Sequence, residues 1–322
     1  MAEAERVFEQ YDRTNAAADA ALDSSAIRGV QTGVLLKESL ATYDIHRRAK
    51  TTDTASRLTQ PRFLIPAADA SHAYPRSFAV LSKRKGNEDD RSSSLFYFTQ
   101  TEAKGPWKAT AATWAVTEPF TSPSPSAATP TPSPTQDGKT VTVKPKQLPE
   151  VSQVASGTAR LSTTAAADRA VCNSFADYLS FSPPHGQPTD DRFTQGGFTS
   201  QLVRYFNGWA NEALERTINY TTTGADLPVF RLSTGSSLVA CTYVREHRVS
   251  GVGASGTVRF DKGTDTDALL GGGSRQWHGV REVSSMTALI EVPARKAAPA
   301  TVLACDCYDP QLLSATGVQP GS

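Results

Sequence analysis

The sequence predicts an α+β fold: two modules in tandem, each with helices packed on a curved antiparallel sheet. Three observations carry this expectation. Amphipathic helical segments give way to alternating, β-rich segments twice along the chain. A Pro/Ser/Thr tract, TSPSPSAATPTPSPTQDG at 121–138, separates the two occurrences. Strands follow helices in blocks divided by polar turns, which favours hairpins over parallel βαβ crossovers. With 322 residues, each module is long enough to bury its own core.

The first helix spans 3–22, where Val7, Tyr11, Ala18 and Leu22 recur at helical intervals and AAADAAL has high helix propensity. A second, over 32–48, carries Val34, Leu35, Leu40 and Tyr43. From Arg62 the pattern changes to PRFLIPAA, RSFAVLSKR, SSLFYFTQT and PWKATAATWAV. These are short and rich in aromatic and β-branched residues, as strands are. KGNEDDRSS, at 85–93, reads as a solvated hairpin loop. Together these segments form the first module, 1–118. Residues 119–155 form a linker in which PSPSAATPTPSP favours extended, hydrated polyproline II and TVTV offers one edge strand.

The second module, 156–322, opens with STTAAADRAVCNSFADYLSF as a helix carrying Val171, Phe175 and Leu179 on one face. A long helix is predicted over 194–221, because Phe198, Leu202, Tyr205, Phe206, Trp209 and Ala213 fall at steps of 4, 3, 1, 3 and 4. LPVFRLS, SLVACTYVREHRV, GTVRFDKG, REVSSMTALIEVP and TVLACDC follow as strands. Two or three helices against a curved antiparallel sheet is the arrangement of NTF2-like and cystatin-like modules.

The connector TVTVKPKQLPEV at 140–151, with GPWK at 105–108 near the end of the first sheet, resembles a family of exported actinobacterial proteins. Its members are typically lipoproteins or otherwise membrane-tethered, with a Pro/Ser/Thr/Ala-biased composition. The likeness covers most of the chain. It implies an extracytoplasmic protein, secreted or bound to the cell envelope. It carries over no catalytic residues, because no activity is assigned to the family. The N-terminus, MAEAERVFEQYDR, lacks the apolar core of a signal peptide; this leaves a cytosolic protein or a chain whose leader or membrane tether lies upstream, and the resemblance to exported proteins favours the second. No apolar run approaches the roughly 18–20 residues that cross a bilayer.

Charge argues against a nucleic-acid partner. There are 33 basic and 32 acidic side chains, and the balance holds locally, with 16 against 15 over 1–118 and 14 against 15 over 159–322. A nucleic-acid binder gathers its cations into a patch. The expected partner is instead another envelope protein or a small-molecule ligand.

All four cysteines lie in the second half: Cys172, Cys241, Cys305 and Cys307. Cys305 and Cys307 are two apart in a strand-like run and so share a face. Two bridges are expected, joining Cys172 and Cys241 to Cys305 and Cys307 in either pairing. Buried free thiols are the alternative. A zinc site lacks both a C-x-x-C and a histidine at ligand spacing.

No catalytic motif is present. GVGASG, at 251–256, matches G-x-G-x-x-G, but a strand-like segment follows where a dinucleotide site needs a helix. LLGGGSRQWHG lacks the Lys-Ser/Thr of a phosphate loop. Asp261, Asp265 and Asp267 lack the Gly and Glu of a calcium loop, so they read as a solvated turn. His46, His72, His185, His247 and His278 are scattered, and no G-x-S-x-G is present. No cofactor or metal is therefore expected.

The best constellation is Tyr205 and Trp209 on the predicted long helix, Tyr243 and His247 on one strand face, and Trp277, His278 and Arg281 after a glycine loop. These residues would line a cavity in the second module if its sheet curves over the helix. Core packing is the competing explanation for Tyr205 and Trp209. The functional expectation is a non-enzymatic binding or interaction protein of the envelope. The alternative is a small-molecule carrier or enzyme that uses this second-module pocket.

Overall fold

The computed structural model describes residues 1–52, 56–67, 74–87, 91–117, 135–136, 139–140, 146–155, 157–253, 256–295 and 298–319. His72, most of the Pro/Ser/Thr tract, most of TVTV and parts of the loops at 85–93 and 251–256 lie outside the described residues. The fold is α+β with antiparallel sheets.

Helices α1 (Ala2–Ala21), α2 (Ser24–Val30) and α3 (Gly33–Ala49) come first. The chain turns between α1 and α2 with Leu22 in the left-handed region, and Asp23 caps α2 by accepting from the Ser25 and Ala26 amides at 2.8 and 3.1 Å. An antiparallel meander follows: β1 (Leu58–Leu64), β2 (Arg76–Arg84), β3 (Ser92–Gln100) and β4 (Lys108–Val116), paired in that order. The start of α3 is pinned to this sheet. Thr32 N donates to Ala109 O at 2.8 Å, and Gly33 has φ +61° with Thr110 so close that any Cβ would sit 2.9 Å from it. A two-residue hairpin, β5 (Thr135–Gln136) with β6 (Lys139–Thr140), leads toward the second half.

The second half starts with α4 (Ala165–Asp168) and α5 (Ala170–Leu179), then a π-helical turn over Gly197–Gln201 and α6 (Leu202–Asn207). Its strands are β7 (Leu214–Thr222), β8 (Phe230–Arg231), β9 (Ser237–Gly251), β10 (Val258–Arg259), β11 (Gln276–Trp277), β12 (Gly279–Val292), β13 (Thr301–Cys305) and β14 (Gln311–Val318). A short α7 (Asp265–Leu269) precedes β11, capped by the Thr264 hydroxyl. β9 and β12 pair along 14 residues each. The far edge of β12 is shared by β14 and β13, and that of β9 by β7 and β8.

Three expectations are corrected by the structure. The long helix over 194–221 is helical only to Asn207. Beyond Gly208, ERTINYTT is rich in β-branched residues and buries Ile218 and Tyr220 on one face, and β7 pairs with β9 instead. Asp265 and Asp267 lie in α7 rather than in a turn, where acidic side chains favour the positive end of the helix. The disulfides are Cys172–Cys241 and Cys305–Cys307, with Cα–Cα distances of 5.4 and 5.1 Å. β13 ends at Cys305, so the alternation rule that set Cys307 apart no longer applies, and the turn brings the two sulfurs together.

Alternation along the strands explains the layering. On β2 and β3, Phe78, Val80 and Phe98 pack under α1–α3, while Ala79, Leu81, Leu95 and Tyr97 point the other way. That second face meets Leu238, Ala240, Leu289, Leu303 and Ala304 of the second sheet. The second sheet's outer face, with Val239, Cys241, Tyr243, Met286 and Ile290, is covered by Phe175, Leu179, Phe198, Leu202 and Phe206. The order is therefore helices, sheet, sheet, helices. In addition, α3 lies against β14 and α7, so the last strand helps cover a helix of the first half.

Leu289 is fully buried between the sheets. Leu289→Ala is expected to cost about 3 kcal/mol and to speed amide exchange in β3 as well as β12. Exchange confined to β12 would mean the sheets open independently.

Candidate functional site

A cavity of about 370 Å³ lies between α1, α3 and the end of β4, closed from the second half by Asp306. That volume is in the range of small-molecule sites. Its lining is largely polar and includes three acidic side chains, Asp19, Glu38 and Asp306.

Each side chain arrives for a local reason. On α1, Asn15 and Asp19 share the stripe of buried Phe8, Tyr11 and Ala18. On α3, Glu38 falls in phase with buried Val34, Leu35, Ala41 and Ile45. Gln31, between α2 and α3, is fixed by a bridge to Ala109 on β4 and is 1 % exposed. Asp306 sits between Cys305 and Cys307, so the disulfide closes the short turn that presents it. Its amide donates to Thr287 O at 3.2 Å.

A chain of hydrogen bonds orders one wall. Gln31 Nε2 donates to Asn15 Oδ1 at 2.7 Å, Asn15 Nδ2 to Asp19 Oδ2 at 2.7 Å, and Tyr43 Oη to Asp19 Oδ1 at 2.6 Å. Gln31 Oε1 is left buried with no partner among the described residues. On the other wall, the Ser285 hydroxyl donates to Glu38 Oε1 at 2.7 Å, and the Thr113 hydroxyl lies 3.5 Å from Asp306 Oδ2. Burial pushes the Glu38 carboxyl up to about 7, against the Ser285 hydrogen bond. Burial and then the Glu38 charge push Asp306 up to about 7, against hydrogen bonds from the Thr287 backbone, Trp114 and Thr113. Burial, opposed by a hydrogen bond to Gln31, raises the Tyr11 phenol.

The residues singled out from the sequence are placed elsewhere and only partly together. Tyr205 and Trp209 meet edge to face with ring centres 5.5 Å apart, and Trp209 lies 5.2 Å from the His247 ring. Tyr243 is fully buried and donates to Cys172 O at 3.2 Å. Trp277 belongs to a small separate core with Val249, Val258 and Val280. His278 is partly buried, its Nδ1 3.1 Å from Gly256 O, and Arg281 is exposed and paired with Glu246.

Of these residues, His247 sits in an arrangement that resembles a catalytic dyad. Its Nδ1 meets Glu282 Oε2 at 2.8 Å, and the Thr266 hydroxyl donates to Glu282 Oε1 at 2.6 Å. Its Nε2, however, lies 3.3 Å from Arg216 Nη1. With the proton on Nδ1, the ring donates to Glu282 and accepts from Arg216, so no ring nitrogen is free to serve as a base. Burial keeps the imidazole below its usual range despite Glu282. The Glu282 carboxyl is pushed up by burial but held below its usual range by His247, Thr266 and Arg245.

Sequence reasoning missed Gln31, Glu38 and Asp306. One signal was available: a carboxylate in phase with the apolar stripe of α3, and Asn15 with Asp19 in phase with that of α1. Asp306 gave no such signal beyond its place between two cysteines. Among the described residues, no three His, Cys, Asp or Glu side chains converge as metal ligands, and no helix is long and apolar enough to cross a membrane. Residues 1–310 match the family model described as a domain of unknown function, DUF8094. No curated protein and no solved structure matches the chain.

Proposed function

We propose that this chain, which belongs to the DUF8094 family, is an extracytoplasmic binding protein of the cell envelope that holds a small molecule in the cavity of its first half, closed by Asp306 of the second. The observation that carries the reading is the 370 Å³ space itself, into which the Asp19, Glu38 and Asp306 side chains are brought together. Binding rather than catalysis is favoured because Ser285, the hydroxyl that meets Glu38, is fully buried and does not line the space. The envelope location is supported by two disulfides, which persist in oxidising compartments, and by the resemblance to exported actinobacterial proteins.

The test is native against denatured mass of protein purified from an actinobacterial envelope fraction. A reproducible extra mass that disappears on denaturation is expected. It should also disappear in Ser39→Phe, which fills the cavity. Equal masses would set the cavity reading aside and turn attention to protein partners on the outer surface.

A further inference from the structure

We propose that the cavity takes a small organic ammonium, with the cationic head held against the Glu38 and Asp306 carboxyls. This rests on the binding reading above and names its ligand class.

Two observations converge on a cation that carries several donors. Acidic side chains dominate the charged groups that face the space: Asp19, Glu38 and Asp306. Among the described residues, Arg84 is the one cationic side chain in the lining, and it is exposed at the rim. Glu38 accepts from Ser285 and Asp306 from Thr113 and Trp114, which leaves acceptor capacity on each carboxylate, since a carboxylate has about four lone-pair sites. An ammonium supplies three donors on a compact charge. A bare metal ion fits less well, because no three ligand groups converge among the described residues.

The same geometry fixes how binding depends on pH. The groups that face the two carboxyls are Tyr11 and Asp19 from α1, Tyr43 from α3 itself, Arg84 from β2, Thr113 and Trp114 from β4, and Ser285 from β12. Among the described residues, nothing positive lies deep in the space to hold the carboxyls ionised. Burial leaves both near 7, so an arriving ammonium must displace their protons at acidic pH and meets carboxylates at alkaline pH. Affinity therefore rises with pH, by up to about tenfold per carboxyl between pH 6 and pH 8.

A matched five-carbon series separates the ligand classes: cadaverine as the cation, 1,5-pentanediol as the neutral form and glutarate as the anion, titrated into the full chain by calorimetry at pH 6 and pH 8. Cadaverine alone should bind, at least tenfold tighter at pH 8, and at least tenfold weaker in Glu38→Gln and in Asp306→Asn. Thermal unfolding of each variant shows that it is folded. Binding of pentanediol or glutarate, or cadaverine binding that is indifferent to both substitutions, overturns the ammonium assignment and leaves the cavity reading standing. Calcium binding that excludes cadaverine also overturns it. If none of the three probes binds while the envelope protein still carries its extra mass, the ammonium assignment alone falls. If the extra mass is absent too, both fall.

Discussion

At pH 8, Asp306→Asn is expected to make the protein more stable, by about 2–4 kcal/mol in equilibrium denaturation. The sign follows from the raised carboxyl. Below about pH 4 the group is neutral both folded and unfolded, and the substitution changes little. As pH rises from there, the unfolded chain ionises first, because the folded carboxyl holds its proton to about 7. The native protein therefore loses about 1.4 kcal/mol per pH unit across that window and levels off above it. An amide of the same shape keeps acceptor and donor capacity and removes this loss. Glu38→Gln should act in the same direction, and the pair less than additively, since the two carboxyls interact. The diagnostic is a stability profile that falls between pH 4 and pH 7 in the parent and is flatter in the variants. A variant less stable at pH 8 would mean that Asp306 is ionised and satisfied in the native state, and the cavity would lose its meaning as a site. Residues that cost stability while facing an open space are a mark of function rather than of packing.

The second large effect concerns Cys172–Cys241, which ties α5 to β9 across a separation of 69 residues. Removing it as Cys172→Ala with Cys241→Ala should cost about 4 kcal/mol, because a loop of that length has much conformational freedom to regain on unfolding. Both sulfurs also belong to the packing under the outer helices, so cavity terms add to the loss. The Cys305–Cys307 bridge spans two residues, and its removal should cost about 2 kcal/mol or less. Chemical denaturation of the two double variants reads the contrast directly. Equal losses would indicate that chain entropy is not what the longer bridge contributes. The shorter bridge should show its effect elsewhere, as weakened cadaverine binding, since it shapes the turn that carries Asp306.

Much of the fold was legible from local pattern. β2, β3 and β4 announce themselves through alternation, and α1 and α3 through their apolar stripes. The failures have physical causes. Trp209 continues a helical spacing past Asn207, but Leu214, Ile218 and Tyr220 already obey a period of two, and pairing with β9 decides the outcome. β14, QLLSATGV, has small and polar residues at alternate positions and gains its strand character from the edge of β12. The cysteine pairing turned on where β13 stops, which spacing alone does not reveal. The cavity was beyond sequence reasoning because Gln31, Glu38 and Asp306 are brought together only by the packing of one half against the other.

The cover that β14 gives to α3 sets an order of events for synthesis. Residues 33–49 leave a ribosome or a translocation channel long before residues 311–318 do. Until the tail arrives, α3 lacks part of its final neighbourhood, and Glu38 has neither Ser285 nor Asp306 beside it. The N-terminal half must therefore wait in an incomplete state for some 270 residues to follow it, a long-range closure that is slow and exposed to aggregation. Shortening β14 should therefore be felt first at the other end of the molecule, in α3.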